Sequence, residues 1–260
     1  MSLALALTLS ILGGLGGFTA GLLGVGGGLL LFPLLLYVPP LLGLEILDAK
    51  TVAAVVVSQV FFATLIGGTA HWRSGHVHGR LTLVAGVAAM AGSFLGGVVS
   101  KWVSEWFLLL LFGVVTLLAA AMMFLPGPSL EQEQIPVERV VLPMVPLALF
   151  SCVTGIVVGF LGAGNFVFVP LLIYVLKVPT RIAIGSNLVI AVLSTSSGFL
   201  GKLLTGQIPF LMTLAVVIGA AFGALGGEWS HRRVSPRALR YVYAGMVMVI
   251  ALTVWISILS

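Results

Sequence analysis

Of 260 residues, 60% are hydrophobic and only 7% are charged, with 12 Lys+Arg, 7 Asp+Glu and a formal net charge of +5. A soluble domain carries roughly 25% charged residues, so this chain cannot clothe a water-exposed surface. With a mean hydropathy of +1.25, the composition excludes soluble enzymes and nucleic-acid-binding domains and indicates an all-α polytopic membrane protein.

The basic residues sit in short loops between apolar runs, where they set orientation in the membrane. Cys152 stands alone, so no intrachain disulfide forms. The start, MSLALALTLS, has no basic region and no clear cleavage site, and is read as the first membrane segment of the mature protein.

A bilayer core needs about 20 apolar residues as helix. Ten apolar segments meet or approach that length, near 3–24, 26–42, 51–70, 81–100, 106–126, 139–163, 165–176, 182–201, 209–227 and 241–259. The seventh would reach only about 18 Å and cannot span alone. The second is expected to be interrupted by Pro33, Pro39 and Pro40. Both are expected to be half-helices or re-entrant pieces.

The polar stretch from Pro126 to Arg139 reads as a linker between a first repeat, 1–126, and a second, 139–260, with 127–138 between them. The halves echo each other. Gly17, Gly21, Gly24 and Gly26 match Gly155, Gly159, Gly162 and Gly164, followed by Pro33 and Tyr37 against Pro170 and Tyr174. Further on, Lys50, Gly67, His71 and Gly75 match Arg181, Gly198, Lys202 and Gly206, and Ala88-Gly92-Gly96 matches Gly219-Gly223-Gly227.

If each half crosses the membrane an odd number of times, nine basic residues fall on one side and three, Lys50, Lys101 and Lys202, on the other. The nine-residue side is then cytoplasmic and the repeats are inverted. An even count groups the charges eight against four, and the charges alone leave the choice open.

Two glycine-rich breaks carry the main functional expectation: Gly24, Gly26, Gly27 and Gly28 in the first half, and Gly162, Gly164 and Asn165 in the second. Glycine permits a sharp turn inside an apolar run. The freed backbone N–H groups are tolerated in the membrane only inside protein or beside a watery cavity. A half-helix beginning there aims its positive end at that place, which favours an anion. Close packing through small residues is the alternative reading of the same glycines.

Polar groups on the eighth segment, Ser186, Asn187 and Ser194, with Thr195, Ser197 and Gly198 beside them, could donate to an oxyanion or simply join helices. The first half has Val55 and Val56 where the second has Ser186 and Asn187. Its polar atoms come later, at Ser58 and Gln59, so any site is asymmetric. Cations at segment ends, Lys50, His71, Arg181 and Lys202, could tune access at two mouths or snorkel to headgroups. His71, His76 and His78 lack metal-site spacing, and the glycine stripes spaced by four read as helix packing. No acid falls mid-membrane, which argues against aspartyl proteolysis and carboxylate proton relays.

The blocks GFTAGLLGVGGGLLLFPLLLY and GIVVGFLGAGNFVFVPLL resemble the TauE/SafE family of sulfite and organosulfonate exporters, also called the toluene sulfonate uptake permease family. RIAIGSNLVI, from Arg181 to Ile190, and HWRSGHV, from His71 to Val77, are similar to its other recurrent features. The resemblance covers essentially the whole chain. It implies a multi-pass carrier of small, often sulfur-containing anions in the bacterial inner membrane. Ala54-Val55-Val56 departs from the polar pattern of the second half. The family contains both exporters and importers.

The expected function is therefore export of small anions, with sulfite, sulfonates or related sulfur oxyanions bound at the breaks near the midplane. Proton-coupled import of an organosulfonate or other organic anion is the alternative, and a membrane-embedded enzyme or assembly subunit is a second. No catalytic residue, cofactor or metal is expected. The expected partners are a small anionic substrate and the lipid bilayer, with no nucleic acid, and a homodimer is allowed.

Overall fold

The structure, a computed structural model, describes residues 1–73, 77–125, 143–231 and 233–259, the side chains of 67–73, 236, 258 and 259 excepted. The linker expected at 127–138 and most of the histidine-bearing loop lie outside the described residues. Helices occupy all ten expected segments: α1 (Leu3–Leu23), α2 (Gly28–Leu41), α3 (Ala49–Arg73), α4 (Gly79–Val99), α5 (Glu105–Met122), α6 (Met144–Leu161), α7 (Asn165–Pro170), α8 (Thr180–Leu204), α9 (Phe210–His231) and α10 (Pro236–Leu259). A 3-10 turn, Ser100–Trp102, ends α4, and a π-helical turn, Leu171–Val175, prolongs α7.

Local chemistry sets many of the helix starts. Ser2 and Ser104 accept from Leu5 N–H and Phe107 N–H, each at 3.2 Å, and Asp48 Oδ1 accepts from Thr51 N–H at 2.9 Å. Among the described residues eight helices are long and apolar enough to cross a membrane. The apolar helices at Gly28–Leu41 and Asn165–Val175 fall short.

The proline expectation for α2 needs correction. The helix runs unbroken through Pro33, Pro39 and Pro40. Pro39 and Pro40 fall in its last turn, so each removes the donor of an i−4 carbonyl but leaves almost no helix beyond it to disrupt. The carbonyls there still find donors, Leu42 N–H reaching Val38 and Pro39 and Gly43 N–H reaching Pro40. The segment is short because glycines delay its start.

The bundle is arranged around α3 and α8, whose apolar windows are each 67% buried, against 33–44% in the other long helices. The outer helices present apolar faces outward. Leu3, Leu7, Ile11 and Leu15 of α1, and Leu211, Leu214, Ile218 and Phe222 of α9, are exposed at helical spacing. A continuous surface of this kind fits hydrocarbon.

Backbone-to-backbone packing fixes the helix directions. A Cβ added at Gly13, Gly17 or Gly21 would meet Val216, Ala220 or Ala224 at 2.1–2.3 Å, so α1 and α9 run parallel. Gly92 and Gly96 meet Cys152 and Ile156 in the same way, so α4 and α6 run parallel. Lys50, at the start of α3, donates to the Lys101 carbonyl at the end of α4, so those two are antiparallel. Met90 accepts from Ser197, and Gln207 meets Ser100, so α8 runs with α4. Thus α1, α3 and α9 point one way and α4, α6 and α8 the other. Lys50, Lys101 and Lys202 gather at one end, with Arg80, Lys177, Arg181, Arg233, Arg237 and Arg240 at the opposite end.

The small-residue stripes behave as packing surfaces. Gly219, Gly223 and Gly227 seat against the carbonyls of Ser10, Gly14 and Phe18, with an added Cβ only 1.8–2.1 Å away. Gly223→Leu should therefore lower the thermal midpoint of the purified protein by about 5 °C or more, from overpacking of about 1–3 kcal/mol. Gly245→Ala, where nothing lies within 4 Å, should leave it unchanged or slightly raised. Circular dichroism melts of both variants check this.

Candidate functional site

Both glycine runs break their helices as the sequence requires. α1 ends at Gly24 with φ 67°, and Gly26 and Gly27 follow at φ 80° and 78° before α2 begins. α6 ends at Gly162 with φ 71°, and α7 begins after Gly164. Two positions admit no side chain at all. A Cβ on Gly27 would sit 1.9 Å from the Gly16 carbonyl oxygen, and one on Gly162 would sit 2.3 Å from Val57 N.

The two breaks adjoin. Gly28, the first residue of α2, lies so close to Ala163 that a Cβ there would be 2.7 Å from the alanine methyl. Both breaks rest on the middle of α3, Gly162 on Ala53 and Val57, and Gly26 and Gly28 on Val60. The start of α2 has no side-chain cap. Its ladder begins with Leu31 N–H donating to Gly27 O at 3.1 Å, which leaves the N–H groups of Gly28, Leu29 and Leu30 without intrahelical acceptors.

Beside this uncapped end sits Gln59, fully buried, with neither amide atom hydrogen-bonded. Its Nε2 lies 3.2 Å from where a Gly27 Cβ would stand and 3.5 Å from the equivalent point on Gly16. A buried, unpartnered amide is costly.

The other polar residues expected in the site are engaged with protein. Asn187 Nδ2 donates to the Gly24 carbonyl, tying α8 to the first break, while its Oδ1 stays unpaired. Asn165 Nδ2 donates to Ser194 Oγ at 3.2 Å, tying α7 to α8 at the second break. Ser186 Oγ accepts from His78 N–H at 3.0 Å, and His78 Nδ1 caps α4 through Leu81 N–H at 3.1 Å. Ser58 Oγ bonds back to Ala54 O at 2.8 Å. Asn187, Asn165 and Ser194 thus hold the breaks in position, while Ser186 anchors the start of α4.

Among the cations, Lys202 and Lys50 lie at one end and Arg181 at the other, where its guanidinium donates to Val234 O at 3.1 Å. His71 belongs to the last turn of α3, and its side chain lies outside the described residues. A cavity of about 10 Å³, room for about one water, borders the first break through Leu23 and Ile184 and is lined by Tyr174, Thr180, Arg240 and Tyr243. Tyr243 Oη donates to Phe166 O in α7. Sequence reading missed Tyr243, Ser100 and Gln207, because their partners lie 77 to 107 residues away.

The chain matches the model of the family described as sulfite exporter TauE/SafE over residues 9–254. A probable membrane transporter protein of Xylella fastidiosa (strain 9a5c) is 38% identical over 180 residues, which are 68% of this chain. The match spans 66% of that relative's length, a little under two-thirds. Probable membrane transporter protein YdhB of Bacillus subtilis (strain 168) is 21% identical over 215 residues, covering 81% of this chain and 84% of YdhB. A probable membrane transporter protein of Haemophilus influenzae (strain ATCC 51907 / DSM 11121 / KW20 / Rd) is 24% identical over 250 residues, covering 94% and 82%. No solved structure matches the chain. With the family model covering nearly all of the ten helices among the described residues, this multi-pass membrane protein belongs to the sulfite exporter TauE/SafE family.

Proposed function

We propose that the protein is a carrier, not an enzyme, and exports small sulfur oxyanions, the class of sulfite and sulfonates. The anion binds where Gly24–Gly28 and Gly162–Asn165 adjoin. The observation that carries this reading is the buried, unpartnered amide of Gln59 beside the uncapped N-terminus of α2. Amide N–H groups and a positive helix end offer donors and partial charge to an anion in a low-dielectric interior. The family's printed description supports transport and the substrate class, and the relatives' names support transport.

Two inverted repeats, 1–126 and 139–260, account for the opposed helix directions, since α1 opposes α6 and α3 opposes α8. Such repeats place a substrate between discontinuous helices near the midplane. The arginine end is then cytoplasmic. Asn187, Asn165 and Ser194 hold the breaks, Ser186 anchors the start of α4, and all four can turn their donors to the anion when it arrives. Ser58 lies one residue from Gln59 on α3. Lys50 and Lys202 at one mouth, and Arg181 and His71 at the other, tune access.

Removing the Gln59 amide tests the site. Gln59→Leu should weaken sulfite binding about 10- to 100-fold, the value of one hydrogen bond to a charged group. It should not lower thermal stability, because an unsatisfied amide is replaced by an apolar group. Isothermal titration and melting curves on the same preparation separate the two effects, and unchanged affinity would remove Gln59 from the site.

With no acid in mid-membrane, the membrane potential suffices as driving force. A monoanion leaving a negative interior gains about 2.3 kcal/mol per 100 mV. Sulfite efflux from proteoliposomes should accelerate when a potassium gradient with valinomycin makes the interior negative. Indifference to potential together with collapse on removing a pH gradient would favour proton-coupled import.

A further inference from the structure

At the lysine end of the bundle the sequence folds α8 back on itself. Gly206 takes φ 72°, its N–H donates to Leu203 O at 3.1 Å, and Gln207 N–H donates to Lys202 O at 3.0 Å. These two bonds form a Schellman motif. The motif returns the Gln207 side chain to the side of Lys202. The Lys202 ammonium donates to Ser100 Oγ at 2.7 Å and to Gln207 Oε1 at 3.5 Å. Ser100 Oγ lies 2.7 Å from the Gly97 carbonyl and 2.9 Å from Gln207 Oε1. Gln207 Nε2 donates to the Gly97 carbonyl at 3.0 Å. Lys202 is 0% exposed and Ser100 1%.

The charge balance of this cluster does not close. Lys101 Nζ donates to the Thr205 carbonyl at 3.2 Å, and Lys50 Nζ donates to the Lys101 carbonyl at 3.1 Å. All three ammonium groups bond neutral oxygens. The acids of this end, Glu45, Asp48 and Glu105, are exposed. An ammonium buried without a counter-charge costs several kcal/mol. Lys202 has three N–H donors and only two acceptors among the described residues. The groups here supply positive charge and a spare donor, and what they lack is a negative oxygen.

We propose that Lys202, Ser100 and Gln207 form a second anion-docking site, in which a small oxyanion is the missing counter-ion of Lys202. The anion takes the third N–H of the ammonium, and the Ser100 hydroxyl can turn from Gly97 O to donate to it. Lys50 and Lys101 add long-range attraction. Lys202 lies eight residues beyond Ser194, about 12 Å along α8. The site is therefore a station between the helix breaks and the lysine-end mouth, and the inference rests on the anion-carrier reading.

Thermal unfolding of the full chain, titrated with sulfite, sulfate and taurine, tests it in wild type, Lys202→Met, Lys202→Arg and Gln59→Leu. Without anion, Lys202→Met should melt at the same or a higher temperature, because an uncompensated buried charge is gone. It should lose at least half of the anion-dependent rise, and Lys202→Arg should retain that rise. A Lys202→Met protein that melts lower without anion yet keeps the full rise would make Lys202 a structural clamp and overturn the proposal. A rise lost in Gln59→Leu but intact in Lys202→Met would overturn this site while leaving the helix-break site standing. No rise in wild type with any of the three anions would overturn both. Should Lys202→Met fail to fold, Ser100→Ala and Gln207→Leu must each reduce the rise, and an unchanged rise in both would overturn the proposal.

Discussion

A peptide group in hydrocarbon must find a hydrogen-bond partner inside the protein, and the whole architecture answers to that requirement. Among the described residues, eight long helices meet it by pairing their own backbones. The two short helices do so only in part, because α1 and α6 end at glycines and α2 and α7 begin anew inside the bundle. Their first-turn N–H groups therefore emerge where water is scarce. The fold treats the two chain ends of each break differently. Carbonyls that terminate α1 are claimed, Gly24 O by Asn187 and Leu22 O by His231. The amides that start α2 are left open beside Gln59, which is itself unpartnered. Open donors at a positive helix end favour a negative solute.

Holding such a site requires a rigid frame, and small residues supply it. α1 seats on α9 and α6 on α4 through glycine-to-carbonyl approaches, so each break is carried by a helix pair drawn from both halves of the chain. α3 and α8 run between these pairs and carry Gln59, Asn187 and Ser194 to the same region. The region where the breaks adjoin is thus built by exchange between the two halves of the chain.

Much of this was legible in the chain. Helix positions followed from apolar length, the breaks from Gly24-Val25-Gly26-Gly27 and Gly162-Ala163-Gly164, and the packing stripes from glycine at every fourth residue. Less visible was the fate of side-chain polar atoms. Ser186, Asn187 and Ser194 read as ligands because hydroxyls and amides on one helix face look alike, whether they bind solute or a neighbouring backbone. Their partners, His78, Gly24 and Asn165, lie 29 to 163 residues away, beyond any local period. Pro33, Pro39 and Pro40 misled for the opposite reason. A local rule predicts interruption, but each proline removes only one ladder donor, and the helix continues past Pro33 and ends within a turn of Pro39 and Pro40.

The open donors at the start of α2 are the central claim, and a high-resolution cryo-EM map of the full chain in nanodiscs saturated with sulfite tests it most directly. The account predicts density for the anion within hydrogen-bond distance of the N–H groups of Gly28 to Leu30 and of the Gln59 amide. A map with α1 continuing unbroken into α2, or with the break packed shut and no anion beside Gln59 at saturation, would contradict it.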